Sequence, residues 1–190
     1  MTKKLVLLLS FALFLVQCKE FGNKGIIPEN TTEHKTLSKE VYKAIAEQTK
    51  KNLVENLTKQ ISENGAINAL QFCNVNAIPL TQKLETEKGV TIKRVSDKNR
   101  NPENLANEAE LEIIERFKAQ LAKKEELKGT LKNGVFYAPI TTNAMCLQCH
   151  GTEKDIKPEV MAKIKSLYPH DKATGYQENE IRGLMVIKPN

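Results

Sequence analysis

Leu127-Lys128-Gly129-Thr130-Leu131-Lys132-Asn133-Gly134-Val135-Phe136-Tyr137-Ala138-Pro139-Ile140 is the stretch on which the fold class turns. Asn-Gly between two apolar arms is a two-residue hairpin signal, because both central positions need positive φ and these residues tolerate it best. Strands are therefore expected near Leu127–Leu131 and Val135–Ile140. Upstream, Val90-Thr91-Ile92-Lys93-Arg94-Val95-Ser96 alternates and is β-branched, and Gly183–Lys188 reads as a last strand. Helical patterns surround these strands. Ser38 can cap a long helix with apolar positions Val41, Ala44, Ile45, Leu53, Leu57 and Ile61, ending at Gly65. Ala66–Asn74 and Ala77–Glu87 read as two further short helices, with Pro79 early in the second. Glu108–Lys124 is amphipathic through Leu111, Ile114, Phe117 and Leu121, and Pro158–Tyr168 reads as a helix. Asp97–Asn104, with Pro102, reads as a loop. The expected class is α+β: an antiparallel sheet flanked by helices, with a long N-terminal helix.

The chain has 190 residues, 40% hydrophobic and 27% charged, consistent with one globular domain. Lys3 and Lys4 precede an apolar run from Leu5 to Val16, then Cys18 and an abrupt polar switch at Lys19. That run has the length of a signal-peptide core and is short for a membrane span. Leu15-Val16-Gln17-Cys18 resembles a bacterial lipobox, although Gln17 replaces the usual small residue. The expected organisation is a lipoprotein-type signal peptide over residues 1–17, lipidation at Cys18, a flexible tether over 18–35 and one domain over 36–190. Such a chain is exported and held on the periplasm-facing side of a membrane by its acyl chains. Net charge is +6, but lysines are spread along the chain, so no basic stripe for nucleic acid is expected.

The chemistry lies in Met145-Cys146-Leu147-Gln148-Cys149-His150-Gly151, which contains Cys-x-x-Cys-His. On a tight helical turn, two thiols at this spacing reach both vinyl groups of one porphyrin edge. The adjacent imidazole then lies under the macrocycle as an axial ligand. One covalently attached haem c is expected, with Cys146 and Cys149 as attachment points and His150 on the iron. A zinc site would want further paired Cys or His ligands, and Cys73, His34 and His170 are unpaired in sequence. A dithiol redox motif would not need the trailing His.

Cys73 is an odd thiol in an exported chain. Its spacing leaves two readings: a small buried core residue, or a thiolate on the far side of the iron. Met161 and Met185 are alternative ligands or core filling. Arg100 and Arg182 are candidates to neutralise haem propionates, and Phe72 and Tyr137 are candidate haem-wall aromatics.

Four stretches carry a family resemblance. They are Ala69-Leu70-Gln71-Phe72-Cys73 with Ala77 and Pro79; Arg94-Val95-Ser96 with Arg100-Asn101-Pro102-Glu103-Asn104; Tyr137-Ala138-Pro139-Ile140 before the haem motif; and Tyr168-Pro169-His170-Asp171-Lys172-Ala173-Thr174-Gly175-Tyr176 leading to Ile181-Arg182-Gly183. Together they resemble the PAS-like c-type haem domain family, which often lies upstream of bacterial signalling modules. The resemblance implies a PAS-like sheet and axial ligation by His150 and Cys73. Two protein ligands leave no open position on the iron, so the expectation is single-electron transfer with an unidentified periplasmic partner rather than an enzyme activity. The second expectation is a sensor of redox state or a diatomic gas, acting through a separate signalling protein.

Overall fold

The computed structural model describes residues 37–190. The expected signal peptide, Cys18, the expected tether and His34 lie outside the described residues. In chain order the elements are α1 (Lys39–Lys88), β1 (Val90–Val95), a 3-10 turn (Pro102–Asn104), α2 (Glu108–Ala122), β2 (Thr130–Lys132), β3 (Val135–Thr141), α3 (Ala144–His150), α4 (Pro158–Leu167) and β4 (Ile181–Pro189). The sheet has four strands in the order β1-β4-β3-β2, every neighbouring pair antiparallel. The fold is α+β.

Asn133 and Gly134 take φ of 52° and 75° and join β2 to β3, with Leu131 opposite Phe136. The first arm of this hairpin begins later than the sequence pattern suggests. Leu127 packs into the core under α2 instead of entering the ladder.

Alternation along the strands builds two cores. Val90 and Ile92 of β1, Phe136 of β3, and Met185 and Ile187 of β4 face α1, where Tyr42, Ile45, Ala46 and Leu84 meet them. Tyr42 stacks on Phe136 at 5.9 Å between centroids. Val95, Leu184 and Val186 face the other way and meet Ile113, Ile114 and Phe117 of α2. Each such side chain, fully buried, contributes about 1.5–3 kcal/mol of hydrophobic stabilisation. Asn107 starts α2 with a capping box, its side chain accepting from Glu110 N while the Glu110 carboxylate accepts from Asn107 N.

The 50-residue α1 consists of two arms, because Gly65 takes φ 77° and ψ 168° and breaks the helix. Gly65 ends the first arm as expected. The second arm differs from expectation: residues 66–88 form one continuous helix, not two short ones. Pro79 therefore sits inside a helix, where it cannot donate to the Val75 carbonyl. The buried stripe of the first arm is also displaced, to Tyr42, Ile45, Ala46 and Thr49, leaving Val41 exposed. Leu70 of the second arm packs with Ile156, Val160 and Ile164, which joins α1 to α4 beside α3.

Candidate functional site

Asn143 caps α3, its side-chain oxygen accepting from Cys146 N at 3.2 Å, and so sets the helical turn that carries Cys146, Cys149 and His150. Thr58 of the first arm of α1 donates to Met145 Sδ at 3.4 Å. Cys149 is half-buried against the Leu70–Val160 cluster. Cys73, from the second arm of α1, reaches the same place. The two thiols are close enough that Cys73 raises the pKa of Cys149, adding to the larger effect of burial, while Arg100 opposes both. Cys73, Cys146 and Cys149 are all free thiols.

The loop of residues 171–176 straps the end of α3. Gly175 N donates to Gly151 O at 2.8 Å and Tyr176 N to His150 O at 2.9 Å. The His150 ring nitrogen Nδ1 lies 2.7 Å from the Ala173 carbonyl oxygen. A carbonyl only accepts, so Nδ1 carries the proton and Nε2 keeps its lone pair for a metal. Burial, with Arg182 and Arg100 nearby, holds His150 well below its ordinary pKa, against the opposing pull of the Ala173 bond. The imidazole is neutral and oriented, which is the state a metal ligand needs.

Three arginines surround this cluster. Arg100 forms a two-pronged pair with Asp171, Nε to Oδ1 at 3.0 Å and Nη2 to Oδ2 at 3.2 Å, and Nη2 also donates to Cys149 O at 2.6 Å. Arg182 donates from Nη1 to Ser96 Oγ and Lys98 O, at 2.9 and 3.1 Å. Its Nε is buried beside the equally buried hydroxyl of Tyr176, over whose ring Arg182 lies at 5.4 Å, and each group shifts the other's pKa. Arg94 reaches from β1 towards Cys73 and Tyr168, and no carboxylate pairs with it among the described residues. Burial raises the Cys73 pKa, and Arg94 and then Arg100 pull it back.

The sequence-based candidates thus separate. Cys73, Cys149, His150, Arg100 and Arg182 converge, and Cys146 lies on the same turn as Cys149. Phe72 is half-buried beside Cys73 on the same arm. Tyr137 does not join them: it points to the α2 face with the Val186 cluster, because strand alternation puts it opposite Phe136. Met161, on α4 itself, packs against the Leu70–Val160 cluster, Met185 lies in the α1 core, and His170 is exposed. Arg94 was missed as a site residue, although a signal existed. It shares strand parity with the core-facing Val90 and Ile92, where an arginine needs a reason. Among the described residues, no group of three or more His, Cys, Asp or Glu side chains could hold a bare metal ion. The donor set fits a haem instead: two thiols on one turn, a lone pair on His150 Nε2, and the buried guanidinium of Arg182 beside it, suited to an anionic edge.

An α+β domain with a helical hairpin presenting a thiol to a Cys-x-x-Cys-His helix defines the class. The chain belongs to the Tll0287-like family, which residues 26–189 match. Its fold is similar to that of the crystal structure of the cyanobacterial heme-protein Tll0287, with a TM-score of 0.59 and 19% identity over 80% of this chain and 95% of that one. No match was found among curated proteins.

Proposed function

We propose that this protein is a monohaem c-type cytochrome that passes single electrons in the periplasm, tethered to a membrane through a lipid on Cys18. Cys146 and Cys149 would hold the haem as thioethers, and His150 and Cys73 would be its axial ligands. A bound haem supplies a one-electron ferric/ferrous couple. One observation carries the reading: the His150 ring is locked by Ala173 with Nε2 left over, on the helix that also carries the attachment thiols. Family membership and the heme-protein named above support it, and the PAS-like description of the domain belongs to the same proposal.

The chain's residues then have definable tasks. The Ala173 carbonyl holds the Nδ1 proton and makes His150 a stronger donor. Arg94 faces Cys73 and favours its thiolate. Thiolate donation stabilises ferric iron, so the reduction potential should lie below that of a His/Met cytochrome. Arg94 and Arg182 are the guanidinium groups available for propionates, since the Nε and Nη2 of Arg100 are engaged by Asp171 and the Cys149 carbonyl.

A second reading, a redox or gas sensor working through a separate protein, draws on the second arm of α1. Pro79 leaves the Val75 carbonyl, two residues after Cys73, without its helical donor, so the arm just beyond the ligand is less tightly strapped than a regular helix. Optical and EPR spectra with CO added to the reduced protein separate the two. A carrier titrates reversibly and does not bind CO, whereas rapid CO binding with loss of the thiolate spectrum identifies a sensor. Cys73→Ala should give a high-spin or re-ligated ferric spectrum. An unchanged low-spin spectrum would rule out Cys73 as a ligand.

A further inference from the structure

Arg100 and Asp171 come from loops 71 residues apart and form the most enclosed ion pair among the described residues, with side chains 10% and 8% exposed. A pair this enclosed costs solvation on both sides, so its two-pronged geometry and its additional bonds decide what it does. The Asp171 carboxylate also accepts from Ala173 N at 3.1 Å. Arg100 Nη2 also holds Cys149 O at 2.6 Å and lies 3.5 Å from Ala173 O. The pair therefore grips both ends of the His150–Ala173 hydrogen bond: the peptide that follows Asp171 by two residues, and the turn of α3 that carries the imidazole. The remaining strap bonds attach at Gly175 and Tyr176, beyond Ala173. Asp171 N, bonded to Tyr168 O at 3.0 Å, and Lys172 N, bonded to Asn99 O at 3.1 Å, are further backbone ties in this stretch.

We propose that the Arg100–Asp171 pair is a positioning clamp that fixes the Ala173 carbonyl against His150 Nδ1 and thereby sets the donor strength of the imidazole. This rests on His150 being an iron ligand. A well-held acceptor on Nδ1 gives the ring imidazolate character, which favours the ferric state. Release of the clamp weakens that bond and shifts the couple towards ferrous.

The test uses the full-length, haem-loaded protein. The wild-type spectrum is recorded first: absence of a low-spin His-ligated haem there defeats the proposed function and the clamp with it, whereas its presence leaves only the clamp at stake. With haem present, Asp171→Asn is poised at the wild-type midpoint potential. The ferrous-to-ferric ratio should rise about tenfold, about 59 mV for one electron. The low-spin EPR g-values should shift, while thermal melting shows a folded domain. Asp171→Glu should recover most of the shift. If Asp171→Asn does not mature, Arg100→Lys, which keeps the charge but loses the fork, decides the matter by the same readings. A folded variant with wild-type g-values and a ratio within about twofold overturns the clamp.

Discussion

Gly183→Ala tests how closely β4 must approach β1 to place Arg182. A Cβ at this position would run into the carbonyl oxygen of Val95, with Ser96 Cβ 3.2 Å away. The obstacle is backbone, so no side-chain rotation relieves it, and the strands must part at the Val95–Leu184 register position. Overpacking of this kind costs about 1–3 kcal/mol. Losing one interstrand hydrogen bond adds about 1 kcal/mol, for a total of about 2–4 kcal/mol. At about 2–4 °C per kcal/mol for a domain of this size, the melting temperature should fall by about 5–15 °C. Because Ser96 holds Arg182 Nη1, the same variant should disturb the Arg182–Tyr176 stack. The assay is thermal unfolding followed by far-ultraviolet circular dichroism. Melting within about 2 °C of wild type refutes the close-approach reasoning.

Three other outcomes are expected. Asn107→Ala removes both reciprocal capping bonds of α2 and should cost about 1 kcal/mol in urea unfolding; no measurable change would deny the cap any energetic role. Burial pushes the Asp97 carboxyl up, but Lys118 Nζ at 2.7 Å and the Lys98 backbone outweigh it, so its pKa lies below the ordinary value. A lowered carboxyl pKa contributes stability above its unfolded value and loses it as pH falls through the folded one. The deficit of Asp97→Asn, about 0.5–1 kcal/mol because Lys118 is partly exposed, should therefore be present at pH 7, begin to shrink below about pH 4 and fade as pH falls through the lower folded pKa. A deficit unchanged at pH 3 would contradict this. Arg94→Gln removes a cation that disfavours the more positive ferric centre. Its ferric-to-ferrous ratio at the wild-type midpoint should rise about fivefold, for about 1 kcal/mol of Coulomb interaction, opposite in sign to the clamp variants. A spectroelectrochemical titration superimposable on wild type would remove Arg94 from the site.

Local chemistry explains which features could be read ahead of the structure. The Asn133-Gly134 turn, the Gly65 break and the Cys-x-x-Cys-His helix depend on neighbours in sequence, and each is where the pattern put it. Pro79 misled because a helix already under way can absorb the loss of one donor when Leu70 and Leu84 anchor the arm on both sides. Tyr137, a candidate for the haem wall, packs on the α2 face instead: alternation says that it opposes Phe136, but not which face meets α1. The Arg100–Asp171 pair had no local signature, since its partners meet only once the loop after α4 folds back over α3. Arg94 was legible in principle from strand parity, although its neighbour Cys73 comes from a different element.

The most direct test of the whole account is intact mass under denaturing conditions, on protein matured in a periplasm competent for haem attachment. The predicted result is one added haem that survives denaturation and is lost when Cys146 and Cys149 are both replaced by serine. Folded protein with no added haem, its Cys146 and Cys149 thiols free or joined to each other, would contradict it.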